Sequence, residues 1–173
     1  MNIIVADSCA LILLAKCGML EILVGTIPVI TPEGVYKEVV NKKLVKKYAD
    51  AAVVSDLVSK KLIKVVPVKH KSIKIPISMD RGEIEALVLA SRTAASIVAT
   101  DDRKAIMACR YLKMPFIISP KIAIELYRMG KIDFERVKLG VEKMRIIGRY
   151  SVDIIAEALI ELEAIKNAKN SHG

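Results

Sequence analysis

Tryptophan and glutamine are absent from this chain, phenylalanine occurs twice and tyrosine five times. So few rings argue against a platform for stacked bases, and any nucleic-acid contact is expected to fall mainly on phosphate. Cysteine is scarce as well. Cys9, Cys17 and Cys109 are an odd number at no zinc-ligand spacing, far in sequence from His70 and His172, which excludes a disulfide framework and a Cys/His zinc site. Cys9 and Cys17, on one apolar stretch, read as small core residues. No apolar run approaches the roughly 18 residues a membrane span needs, since the run 10–15 is closed by Lys16. Asp7 interrupts the first apolar stretch before a leader could develop, so a cytoplasmic protein with no membrane partner is expected.

What is present describes a compact domain. A chain of 173 residues with 53% apolar content can bury a sizeable core, and one domain over 1–168 with a disordered tail over 169–173 is expected. The formal net charge is +9, and nearly all of it lies in one segment. Residues 37–74 hold eleven Lys and no Arg, including Lys42, Lys43, Lys46, Lys47, Lys71 and Lys74, against the three acids Glu38, Asp50 and Asp56. Such a run is a solvated helical face or the footprint of a polyanion.

Strands alternate with helices along the chain. Apolar β-branched runs predict strands at 2–6, 28–30, 63–68, 96–99 and 116–118. Helical spacing predicts helices over 9–24, 32–43 with Thr31 as cap and Pro32 at its first position, 46–60, 84–94 after a capping box at Asp80 and Glu83, 104–112, 119–130, 133–146 and 151–168. Alternation of this kind implies a three-layer α/β/α architecture around a parallel sheet of about five strands, closed by C-terminal helices. The loop at 67–79, with Pro67 and Pro76, is the candidate mobile segment.

Acidic residues recur where apolar runs end: Asp7, Glu38, Glu85 and the pair Asp101 and Asp102. Open parallel sheets bind ligands beyond the carboxyl ends of their strands, so Asp7 after the first strand and Asp101–Asp102 after the fourth can open onto one rim. Each acid also has a plain structural reading: Asp7 or Asp102 as a helix N-cap, Glu38 as a surface charge, Glu83 as a capping-box member. Glu85 has Val88 and Leu89 as helix neighbours, a setting that disfavours a bare carboxylate unless it is paired or metal-bound. Carboxylates gathered from separated stretches suit Mg²⁺ or Mn²⁺, which prefer oxygen ligands. A dehalogenase-like phosphatase would show Asp-x-Asp where this chain has Asp7-Ser8-Cys9. A receiver domain would place its acid pair early, and no glycine-rich nucleotide loop or Ser/His/Asp arrangement is visible.

Four stretches in order, Asp7-Ser8, Pro32–Glu38, Gly82–Ala86 and Thr100–Lys104, resemble the PIN domain, a group of metal-dependent nucleases that includes VapC-type toxins. The resemblance covers about residues 2–120. It implies an acidic cluster of Asp7, Glu38, Glu85 and Asp102, with metal held by Asp7, Glu85 and Asp102 and with Asp101 adjacent. Ser8, Glu83 and Thr100 would support it. The implied activity is Mg²⁺- or Mn²⁺-dependent hydrolysis of RNA phosphodiesters, with an antitoxin protein as partner. The alternative is a non-catalytic relative that binds RNA or protein. Lys42, Lys43, Lys46 and Lys47 are the candidate RNA contacts. A homodimer is expected because 10–24 and 152–165 carry more apolar surface than one short sheet covers.

Overall fold

The computed structural model of the protein describes residues 2–69, 73 and 75–171. Five strands form its sheet: β1 (Ile3–Ala6), β2 (Val29–Pro32), β3 (Ile63–Val66), β4 (Ser96–Ala99) and β5 (Phe116–Ile117). All pair in parallel, in the spatial order β3-β2-β1-β4-β5. Strand β1 is therefore central, and Ala6 lies opposite Ala99 in register. Successive strand residues face opposite sides. Ile4, Ala6, Val29, Ile63 and Ala99 enter one core, while Val5 and Val98 enter the other.

The first core is covered by α1 (Ser8–Lys16), α2 (Leu20–Val24), α3 (Glu33–Val39), α5 (Ala49–Ser59) and α8 (Ser119–Arg128), with α9 (Phe134–Ile147) and α10 (Val152–Asn170) completing it. The second is covered by α6 (Arg81–Arg92) and α7 (Arg103–Tyr111). This is the three-layer arrangement expected from the alternation. The remaining helix, α4 (Lys42–Lys47), packs on α5.

Several boundaries differ from expectation for local reasons. The stretch 9–24 is two helices, because Gly18 adopts φ +68 and turns the chain between α1 and α2. Pro32 ends β2 and caps α3, while the Thr31 hydroxyl donates to the Ala6 carbonyl at 2.9 Å instead of capping a helix. The Lys-rich helix is broken at Tyr48, whose extended backbone separates α4 from α5. Cys9 is exposed, and only Cys17 and Cys109 are core residues, since the second position of α1 faces away from the sheet. Helix α10 continues through Asn170, and the Lys169 ammonium donates to the Tyr127 carbonyl at 2.7 Å, so the first two residues of the expected tail are helical.

In the loop 67–79, Ile73, Ile75 and Ile77 pack against the second core; His70, Lys71, Ser72 and Lys74 lie outside the described residues, as do His172 and Gly173. The apolar surface of α1 and α2 is buried within the chain by α5, α3 and α8, which removes half of the basis for a dimer. Among the described residues no helix is long and apolar enough to cross a membrane.

Candidate active site

The order β3-β2-β1-β4-β5 reverses direction between β1 and β4, and that switch point is where open α/β sheets form a crevice. Asp7 leaves β1 there, its N–H bonded to the Ala99 carbonyl of β4 at 3.1 Å. Its side chain caps α1: Oδ1 accepts from the Ala10 N–H at 2.8 Å. The carboxylate is 1% exposed, and among the described residues Oδ2 is buried without a hydrogen bond of normal geometry, the Thr100 hydroxyl being its polar neighbour. The N-cap reading of Asp7 is thus observed for one oxygen, while the other is buried in the protein.

An unpaired buried oxygen disfavours ionisation. Burial pushes the Asp7 carboxyl up to about 7 from 3.8, opposed by the Ala10 N–H and the neighbouring Thr100 hydroxyl, and the charges of Asp101 and Glu83 push it further up. Those two acids are thus its electrostatic neighbours.

Asp101 and Asp102 follow β4 but face different partners. Asp101 Oδ1 accepts from the Ser119 N–H at 2.8 Å and from the Tyr150 hydroxyl, and Oδ2 accepts from the Ser119 hydroxyl at 2.5 Å. Burial holds its carboxyl above the usual range against these donors. Asp102 caps α7, with Oδ1 accepting from the N–H groups of Lys104 and Ala105, while its own N–H donates to the buried Thr100 hydroxyl at 3.1 Å. Thr100 thus braces the turn that carries Asp102. Ser8 does not hold Asp7; the Ala10 N–H does, because an N-cap carboxylate aims at the third helical residue.

The acids of α3 and α6 separate into two groups. Residues two apart on a helix point about 200° away from each other, so Glu83 and Glu85 cannot share a face. Glu83 closes the capping box, accepting from the Asp80 N–H at 3.0 Å, and its carboxyl is raised by burial and then, against the Asp80 backbone bond, by the charge of Asp102. Glu85, 3% exposed, is turned toward α3: Oε2 accepts from the Gly34 N–H at 3.0 Å and Oε1 pairs with Arg81 Nε at 2.8 Å. Its placement departs from the expected cluster. The buried carboxylate is paired with α3 and with Arg81 of its own helix.

Glu38, exposed near the end of α3, rests over Gly82, where an added Cβ would stand 2.8 Å from its Oε2. The missing side chain at Gly82 lets Glu38 approach beside Glu83. The rim thus carries Asp7, Glu83, Asp101 and Asp102, with Glu38 at its border. Cys9 stands on the same rim, its thiol pushed up to about 12 by partial burial and by Asp7, Asp102, Asp101 and Glu83 in turn.

Among the described residues no three Asp, Glu, His or Cys side chains close around a common point. That is compatible with Mg²⁺, which keeps several waters and takes one or two carboxylates together with substrate phosphates. The buried, unpartnered Asp7 Oδ2 and the all-oxygen donor set fit a hard divalent cation.

Ser119 and Tyr150 went unread in the sequence. Each meets Asp101 across a long stretch of chain, and only Ser119 had a local signal, as the start of a helix before Pro120. Of the lysines singled out, Lys43 is exposed and Lys47 lies over the Tyr48 ring at 5.1 Å; the Lys42 side chain is outside the described part.

A family model described as a PIN domain matches residues 3–164 of the chain. No curated protein matches it.

Proposed function

Because the chain belongs to the PIN-domain family, a nuclease-type fold, we propose that it is a Mg²⁺- or Mn²⁺-dependent endoribonuclease acting at the rim between β1 and β4. The observation that carries this reading is the Asp7 carboxylate, buried at the switch point with Oδ2 unpartnered. Asp7 with Asp101 or Asp102 would hold the cation, which lowers the pKa of a bound water and offsets charge on the phosphate when it is bound.

The chain's own residues supply the remaining chemistry. Ala10 N–H fixes one oxygen of Asp7, so the other keeps a single direction. Ser119 and Tyr150 orient Asp101. Glu83, raised by burial, and Glu38 beside it are the proton acceptors for water attacking the phosphodiester. The exposed lysines of α4, which follows Glu38 in the chain, draw the RNA toward carboxylates that would repel it.

The test is cleavage of a labelled single-stranded RNA with Mn²⁺, with EDTA, and by Asp7→Asn. We expect cleavage only by the wild-type protein with metal, while Asp7→Asn retains its circular dichroism. A folded Asp7→Asn protein that still cleaves would overturn the assignment. A second reading, a non-catalytic module that binds RNA, draws on the absence of a three-carboxylate group among the described residues. It is favoured if wild-type protein retains RNA and cleaves none with either metal. A toxin role would appear as growth arrest on expression that Asp7→Asn relieves.

A further inference from the structure

Beside the rim, on the β5 edge of the sheet, lies a cleft of about 350 Å³ between α7, the start of α8 and α10. It is near the lower size limit of small-ligand sites. Although the chain has only two Phe and five Tyr, both Phe116 and Tyr150 line this one cleft. Arg110 stands over the Phe116 ring, 5.7 Å from its centroid, and Lys121 joins it at the wall. Ile154 supplies an apolar side, and Glu157 an acceptor at the margin.

The cleft and the rim share a residue. Tyr150 lines the cleft with its side chain while its hydroxyl donates to Asp101 Oδ1. Whatever occupies the cleft therefore sits next to the acid that borders the reacting phosphate. Glu161 pairs with Lys121, which leaves Arg110 as the cation of these aromatic and apolar walls, a combination that suits a group that is flat, partly apolar and joined to an anion. A nucleotide has that combination: its base can stack on a ring, and its phosphate can meet Arg or Lys.

We propose that this cleft binds one base of the RNA next to the cleaved phosphate, stacked against Tyr150 or Phe116, with Arg110 on the flanking phosphate. The proposal rests on the ribonuclease reading of the rim. It gives Arg110 a purpose, since among the described residues it makes no ion pair.

Binding of short single-stranded oligoribonucleotides, each with one abasic residue, measured in EDTA so that no cleavage occurs, tests it. For the wild-type protein we expect affinity to fall about tenfold when the abasic residue occupies one position, and little elsewhere, as loss of one stacked base implies. Tyr150→Leu should flatten that profile, whereas Tyr150→Phe, which keeps the ring and loses the bond to Asp101, should preserve it. Arg110→Glu, at an exposed position, should also flatten it and serves if Tyr150→Leu does not fold. A flat profile for the wild-type protein overturns the proposal, as does a profile unchanged in both Tyr150→Leu and Arg110→Glu. The two readings fail separately. Cleavage with a flat profile removes only the cleft, a position-specific loss without metal-dependent cleavage supports the cleft and removes the nuclease, and absence of RNA binding removes both.

Discussion

Burial raises the Asp7 carboxyl, and the sign of that shift fixes a pH dependence. A carboxyl raised to about 7 in the folded protein from 3.8 binds its proton more tightly folded than unfolded. Its favourable contribution is therefore complete at low pH and is lost as pH rises from about 4 to 7, by roughly 4 kcal/mol in all. Asp7→Asn removes the titrating group. In EDTA, urea unfolding should show the variant gaining stability over wild type as pH rises through that window, with the difference constant above it. A difference independent of pH would contradict the burial of Asp7. Saturating Mn²⁺ should stabilise the wild-type protein above pH 7 and leave Asp7→Asn almost unchanged, which thermal shift would show. Asp7 was legible because it follows an apolar strand directly. Glu85 was legible only as a carboxylate in need of a partner, and sequence could not distinguish a cation from the Gly34 N–H and Arg81 that satisfy it.

At the scale of elements, α3 and α6 meet along Gly34–Glu85 and Glu38–Gly82, and both approaches depend on glycine. A Cβ at Gly34 would stand 2.1 Å from the Glu85 Oε2, and that carboxylate is buried and cannot swing into water. Gly34→Ala should cost about 1–3 kcal/mol in urea unfolding, the usual penalty for leaving a buried polar group unsatisfied. Gly82→Ala meets the exposed Glu38, which can move aside, so it should cost less in stability and act mainly on kcat. Equal losses at the two sites would refute this distinction.

Helix α4 makes a separate prediction. Replacing Lys42, Lys43, Lys46 and Lys47 with Gln should lower RNA affinity for every sequence and flatten its salt dependence by roughly 0.7 for each phosphate no longer neutralised. An unchanged slope would make the run a solvated face. The strands and the capping box of α6 were readable because their signals are local. The break at Gly18 was hidden, since the apolar spacing runs through it and only the φ of +68 reveals the turn.

For the whole molecule, the unburied apolar surface is concentrated on the C-terminal pair of helices. Leu139 at 52%, Ile146 at 73% and Val152 at 67% exposure border a groove between α9 and α10. Glu142, Lys143 and Arg145 of α9 lie along the same groove. A two-fold pairing would bury this groove and set acid against base across the axis. We therefore expect a dimer whose dissociation is promoted by Ile146→Glu. Light scattering checks it: a mass staying at 19.0 kDa at every concentration would exclude it. The parallel sheet and its covering helices followed from alternation, whereas the strand order and the contacts of Ser119 and Tyr150 did not, because pairings across such separations leave no local spacing to read.

The central place of β1 has a consequence for synthesis. The first strand made must wait for β4, and Asp101 must wait for Tyr150, so the rim draws on residues from 7 to 150 and cannot exist on a half-made chain. On the proposed reading, the protein should stay inert toward RNA while its N-terminal part emerges beside the messenger and ribosomal RNA that are producing it. Ribosome-bound chains arrested before residue 150 has emerged should leave added RNA intact, and cleavage by such chains would show that the acids assemble without their C-terminal support.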